Sequence, residues 1–128
     1  MLYIGLGVVL GHNFPFYLGF KGGKGVASTA GIIMALDIRI AVVCLIVFII
    51  TVAITRYVSL GSIFVMIILI GMSHFFVKFS YGFGEGASPM EFRLLTAAVG
   101  LLSIFMHRAN IKRLLGGTEN KIGKKVEK

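Results

Sequence analysis

Tyr57 to Val77, YVSLGSIFVMIILIGMSHFFV, is a run of 21 residues without a formal charge. A helix needs about 20 predominantly apolar residues to cross the hydrocarbon core of a bilayer, so this run predicts a membrane span. Ile40 to Thr55, IAVVCLIVFIITVAIT, adds another 16 uncharged residues, enough where charged ends snorkel to the interface. Composition agrees. Of 128 residues, 57% are hydrophobic and 14% charged, and the mean hydropathy is +0.94. A soluble domain covers itself with about a quarter charged residues, and this chain has too few. Lipid must be its solvent.

Five apolar segments follow, at 1–11, 26–36, 40–56, 59–77 and 91–107. The expected fold class is all-α, a polytopic transmembrane helix bundle with residues 1–128 as a single membrane domain. Extending the first segment to Phe20 would carry it through Gly11, Asn13 and Pro15, which break a helix more readily than they cross lipid. Val26 to Leu36 would be roughly 16 Å long, so it spans only a thin bilayer or with flanking residues added. The pairs Gly7/Gly11 and Ala27/Gly31 are small residues four apart, which permits close helix approach. Met1 to Leu10 lacks the basic flank and cleavage site of a signal peptide.

The net charge is +8, but its distribution disfavours nucleic acid, because the basic residues form short clusters between apolar runs. Membrane lipid headgroups and phosphorylated small molecules are the better partners. One set of connections holds ten basic residues: Lys21, Lys24, Arg56, Arg108, Lys112, Arg113, Lys121, Lys124, Lys125 and Lys128. The other holds three, Arg39, Lys78 and Arg93. The excess marks the first set as cytoplasmic. Ser80 to Pro89, with three glycines, is then an outer loop.

Three stretches on the basic side carry chemistry. In Lys21-Gly22-Gly23-Lys24-Gly25, three glycines let backbone N–H groups approach a ligand, two lysines add charge, and a helix start follows. That pattern fits an anion site and, equally, a basic loop anchored to lipid. It is not a nucleotide-triphosphate loop, since Gly25 stands where Ser or Thr is needed. His12, before an Asn-Phe-Pro turn, reads first as an interfacial residue. In Arg56-Tyr57-Val58-Ser59, the first two are interfacial anchors. Ser59 is either a helix cap, which the pattern favours, or a phosphate donor. From His107 onward, a continued helix would put His107 and Asn110 on one face, with Arg108 and Lys112 paired at i and i+4. Gly116-Gly117 would end it and leave Glu119 in a loop. A basic stop-transfer cluster explains the arginines and lysines there, but not His107, Asn110 and Glu119.

Other chemistries are excluded. The lone Cys44 lies mid-run, so it is packing or lipid-facing and makes no disulfide. His12, His74 and His107 show no metal-ligand spacing, no metal or cofactor is expected, and His74 reads as packing or interfacial. A His-x-x-x-x-Asp motif is absent, because Tyr17, Phe79 and Lys112 follow the three histidines at that spacing.

Taken together, the chain resembles the bacterial integral-membrane acyl-phosphate:glycerol-3-phosphate acyltransferases. The resemblance lies in Gly11-His12-x-Phe14-Pro15 with Phe20-Lys21-Gly22-Gly23-Lys24-Gly25-Val26-Ala27, in Arg56-Tyr57-Val58-Ser59-Leu60, and in His107-Arg108-x-Asn110-Ile111-x-Arg113-Leu114-Leu115-x-Gly117-Thr118-Glu119. It implies transfer of a fatty acyl group from acyl phosphate to the 1-hydroxyl of glycerol 3-phosphate, giving lysophosphatidic acid and phosphate in phospholipid synthesis. The place would be the bacterial plasma (inner) membrane, with the active-site loops cytoplasmic. The resemblance makes Lys21, Gly22, Gly23, Lys24, Gly25, Ser59 and His12 substrate-binding, and His107, Asn110 and Glu119 catalytic. The family also carries an earlier block of the form Gly-Ser-Gly-Asn-x-Gly-x-Thr-Asn, which is not present here. The chain is therefore expected to be the C-terminal portion of such an enzyme, without its N-terminal helices, and to be inactive alone. The alternative is a small membrane transporter or channel for an anionic solute. It would place ionisable groups near the bilayer midplane, and the longest runs carry none.

Overall fold

A computed structural model describes residues 2–19, 22–76 and 88–123, with the side chains of Leu2 and Phe76 left aside. It is built of helices: α1 (Leu2–Asn13), a 3-10 turn (Phe16–Leu18), α2 (Val26–Leu36), α3 (Ile38–Thr55), α4 (Val58–Phe76), α5 (Pro89–Met106) and α6 (Arg108–Leu115). The five apolar segments became α1 to α5. Among the described residues, three helices are long and apolar enough to cross a membrane: Ile38–Thr55, Val58–Phe75 and Pro89–Met106. The proposed outer loop lies outside the described residues except for Ser88 and Pro89, which start α5.

Local chemistry sets each boundary. α1 stops at Asn13 because Pro15 cannot donate the next hydrogen bond. Asp37 alone joins α2 to α3. Its carboxylate accepts from the Arg39 backbone N–H at 2.9 Å and from the Arg39 guanidinium at 3.0 and 2.7 Å. α5 opens with a capping box: Ser88 Oγ accepts from the Glu91 N–H, and Glu91 Oε2 accepts from the Ser88 N–H. α3 ends at Arg56, which holds a left-handed φ of 61° that costs a residue bearing a Cβ about 1 kcal/mol. The Arg56 carbonyl there accepts the Ile122 N–H at 2.9 Å, so the end of the described chain straps back across the α3–α4 turn.

α4 is the central element, packed against α3 on one side and α5 on the other. The close approaches occur at Gly61, where a Cβ would meet Val52 and Phe48 of α3, and at Gly100, where it would meet Ile70 of α4. Gly5 approaches Ile32 in the same way. Of the small-residue pairs read from the sequence, the glycines meet no described neighbour: nothing lies within 4 Å of a Cβ built at Gly7, Gly11 or Gly31. Spacing shows that a helix face is smooth, not that a neighbour uses it. Cys44 packs in the core with Ile40, Met66 and Leu69, as one of its two readings expected. His74 is exposed, with Nδ1 bonded to the Ile70 carbonyl at 2.9 Å. The connections alternate, so Lys24, Arg56 and the residues from Arg108 onward gather at one end of the bundle. Arg39 and Arg93 fall at the other.

Candidate active site

The basic end contains a cleft of roughly 630 Å³ between the 23–25 loop, the starts of α2 and α4, the α5–α6 junction and the 119–122 strap. His12, Gly23, Lys24, Gly25, Ser59, His107, Asn110 and Glu119 all line it, although they come from five separate parts of the chain. Gly22 supports the loop from behind, and Lys21 lies outside the described residues.

The glycines are needed for packing as much as for a ligand. A Cβ at Gly22 would strike the backbone oxygens of His12 and Asn13 and the ring of Pro15; one at Gly23 would strike the His12 imidazole. Gly25 holds φ +76° against the Asn13 amide. The Gly23 N–H donates to the His12 carbonyl at 3.0 Å, which ties the loop to the end of α1. Gly25 is the N-cap of α2 and offers no side chain, so no side chain caps the first-turn amides beside Lys24.

A chain of polar contacts crosses the cleft wall. Lys24 Nζ donates to Asn110 Oδ1 at 2.5 Å. Asn110 Nδ2 donates to Glu119 Oε1 at 2.7 Å, and the Ser59 hydroxyl donates to the same oxygen at 2.9 Å. Arg113 Nε donates to Glu119 Oε2 at 2.7 Å. An ammonium only donates and a carboxylate only accepts, so the Asn110 amide has one possible orientation. Burial alone would raise the Glu119 carboxyl; the bonds from Asn110, Arg113 and Ser59 outweigh it and hold the group below the usual carboxylate range. The sequence pattern favoured Ser59 as a helix cap, and this is corrected: Ser59 is the second residue of α4, and its hydroxyl serves Glu119.

The geometry around His107 and Glu119 has a local cause. α5 ends at Met106 and α6 begins at Arg108, yet His107 N–H to Ser103 and Ile111 N–H to His107 carry helical bonding through the junction. His107 and Asn110 therefore stay on one face, and both are buried. α6 closes on Gly117 at φ +68°, with Thr118 N–H bonded to the Arg113 carbonyl and Gly117 N–H to that of Leu114. This turn sends Glu119 back toward Asn110. His107 Nδ1 lies 2.7 Å from the Ser103 carbonyl, which can only accept, so Nδ1 carries the proton and Nε2 keeps its lone pair. Burial, then the nearby Lys24 charge, lower the His107 pKa; the Ser103 bond and the Glu119 charge oppose this without reversing it. The balance favours the neutral imidazole.

Sequence reasoning missed Ser103 and Ser62, and gave Arg113 and Lys121 no place in the site. Ser62 lines the cleft, and Lys121 Nζ sits 5.2 Å from the centre of the Tyr57 ring. An apolar groove of roughly 410 Å³ runs between α2, α3 and α4 and shares Val26, Ala27, Val58 and Ser62 with the cleft. A polar head and an apolar tail would thus find adjoining sites.

A family profile described as glycerol-3-phosphate acyltransferase matches residues 1–117. A glycerol-3-phosphate acyltransferase of Clostridioides difficile is 50% identical over 120 residues, covering 94% of this chain and 53% of that protein. One of Halalkalibacterium halodurans is 43% identical over 124 residues, covering 96% and 57%. Among solved structures, the glycerol 3-phosphate form of PlsY, an integral membrane glycerol 3-phosphate acyltransferase, superposes with a TM-score of 0.81 at 36% identity. The match covers 95% of this chain and 56% of PlsY. The chain thus spans a little over half the length of these relatives.

Proposed function

Because the chain belongs to the glycerol-3-phosphate acyltransferase family, we propose that it forms the membrane domain in which a fatty acyl group passes from acyl phosphate to the 1-hydroxyl of glycerol 3-phosphate. The observation that carries this reading is the Lys24–Asn110–Glu119–Ser59 chain, which lines a cleft that shares four lining residues with an apolar groove.

Acyl phosphate is a mixed anhydride whose phosphate leaves readily, so no covalent acyl-enzyme is required. The protein has to hold two anionic head groups together and take one proton. Lys24 and the uncapped amides of α2 hold phosphate, with His12, Gly23 and Gly25 around it; the family resemblance gives Lys21 and Gly22 a share in the same role. The acyl chain lies in the apolar groove. The 1-hydroxyl oxygen attacks the acyl carbonyl carbon, the carbon–oxygen bond to phosphate breaks, and the hydroxyl proton passes to His107 Nε2 and from there to the departing phosphate. Lysophosphatidic acid and inorganic phosphate are the products. Asn110 orients the Lys24 ammonium. Glu119, both oxygens of which already accept bonds, acts through Asn110 and Ser59.

The basic excess at the cleft end supports a cytoplasmic site in a bacterial plasma membrane. The test is acyl transfer in membranes from acyl phosphate to labelled glycerol 3-phosphate. The chain should be assayed alone and fused behind the upstream portion that a relative carries. Lysophosphatidic acid is expected from the fused form, and none from a well-expressed fused form would sink the reading.

A further inference from the structure

Hydroxyls on the membrane helices mostly bond to their own backbone. Thr55 bonds to the Thr51 carbonyl at 2.7 Å, Ser62 to Val58 at 3.0 Å, Ser73 to Ile70 at 2.8 Å and Thr96 to Phe92 at 2.7 Å. Ser103 departs from this habit. It lies fully buried in α5, and its Oγ donates to the backbone carbonyl of Lys24, 79 positions earlier in the chain, at 2.7 Å. The carbonyl of Ser103 meanwhile accepts from His107 Nδ1 at 2.7 Å and from the His107 N–H at 3.1 Å.

One residue therefore touches both the loop that carries Lys24 and the imidazole. Lys24 stands between two glycines in irregular backbone, where the chain itself restricts φ and ψ least. The other tie of this loop, from the Gly23 N–H, goes to α1. The Ser103 hydroxyl is the tie to α5, the helix that leads into His107 and Asn110. Lys24 is thus held twice from that side, by its carbonyl at Ser103 and by its ammonium at Asn110.

We propose that Ser103 is a positioning residue: its hydroxyl sets the depth at which the Lys24 ammonium meets a phosphate, while its carbonyl fixes the His107 tautomer that leaves Nε2 free for the cleft. The catalytic half of this role rests on the acyl-transfer reading. The phosphate-binding half can be read without it.

The experiment measures binding of inorganic phosphate to the purified chain in micelles, with both Kd and the number of sites determined. Ser103→Ala is compared with Ser103→Thr, which keeps the hydroxyl, and with Ser103→Cys, which keeps the volume with a weak donor. Nitrogen-15 spectra of the histidines are recorded alongside. Ser103→Ala should raise Kd roughly tenfold at an unchanged number of sites, the worth of about one hydrogen bond. Ser103→Thr should recover most of the affinity, and the His107 Nδ1–H signature should persist, because the carbonyl remains. If Ser103→Ala does not fold, Ser103→Cys should give an intermediate Kd. A Kd equal to wild type in folded Ser103→Ala or Ser103→Cys would overturn the proposal, as would fewer sites at unchanged Kd, which marks mere structural damage. Wild-type protein that binds no phosphate would instead sink the functional reading beneath it.

Discussion

Asn110 donates from Nδ2 to Glu119 Oε1 at 2.7 Å across the glycine turn that ends α6, and so joins the last helix to the strap behind it. The strap has a second fastening, from the Ile122 N–H to the Arg56 carbonyl. Removing the carboxylate should release the strap between them. Glu119→Ala is expected to expose the bond after Lys121 to trypsin several-fold faster than in wild type, with helix content retained. Cleavage rates in micelles check this.

The same carboxylate makes the strap acid-sensitive. The folded-state pKa of Glu119 lies below its ordinary value of 4.5. Its contribution is therefore full above about that pH and is lost as the pH falls through the folded value. The melting temperature of wild type should drop as the pH falls from about 5 to about 3 by more than that of Glu119→Gln, which has no carboxylate to protonate. Parallel drops would remove Glu119 as the source.

The loop glycines should differ in their tolerance of a methyl group. At Gly22 the obstacles are backbone oxygens and a proline ring, which cannot yield, and at Gly25 the left-handed φ adds strain. Gly22→Ala and Gly25→Ala should each lower the melting temperature and abolish phosphate binding. At Gly23 the obstacle is the end of the His12 side chain, so Gly23→Ala should cost less. The double variant His12→Ala/Gly23→Ala should then melt higher than Gly23→Ala alone.

His107 has to be neutral to accept a proton. Its pKa is pushed below 6.5, chiefly by burial, so kcat/KM for acyl transfer by the fused form should rise with pH and level off from an inflection below that value. In His107→Gln the inflection should vanish along with most of the rate. The pH–rate profiles of the two forms check this.

Ala30 lines the apolar groove but not the cleft. In the fused form, Ala30→Phe should raise the KM for long-chain acyl phosphates several-fold while phosphate affinity holds. A matching loss of both would argue against a separate tail site.

Most of the fold was legible because membrane helices declare themselves through long uncharged runs: Val26–Leu36 emerged with the limits read from hydropathy. The end of α6 was legible too, since Gly116-Gly117 supplies the left-handed residue such a turn needs. The cleft residues were found through charge asymmetry and motif resemblance. What stayed hidden depends on which way a side chain turns. Ser103 and Ser62 look alike in an apolar run, yet one bonds across the bundle and the other to its own helix. Ser59 carries the signature of a cap and serves Glu119 instead. Glycine spacing pointed to Gly7 and Gly11, while the packed helix glycines are Gly5, Gly61 and Gly100, because partner position is a tertiary property. Nor does any local pattern announce the left-handed Arg56.

The central claim is that the cleft holds the phosphate of glycerol 3-phosphate through Lys24. Equilibrium binding of labelled glycerol 3-phosphate to the purified protein in micelles tests it most directly, with wild type and Lys24→Ala compared and inorganic phosphate as competitor. The account predicts saturable binding that phosphate displaces and that Lys24→Ala weakens about tenfold or more, the worth of a charge-assisted hydrogen bond. Saturable binding with the same Kd in Lys24→Ala, or no saturable binding by wild type, would contradict it.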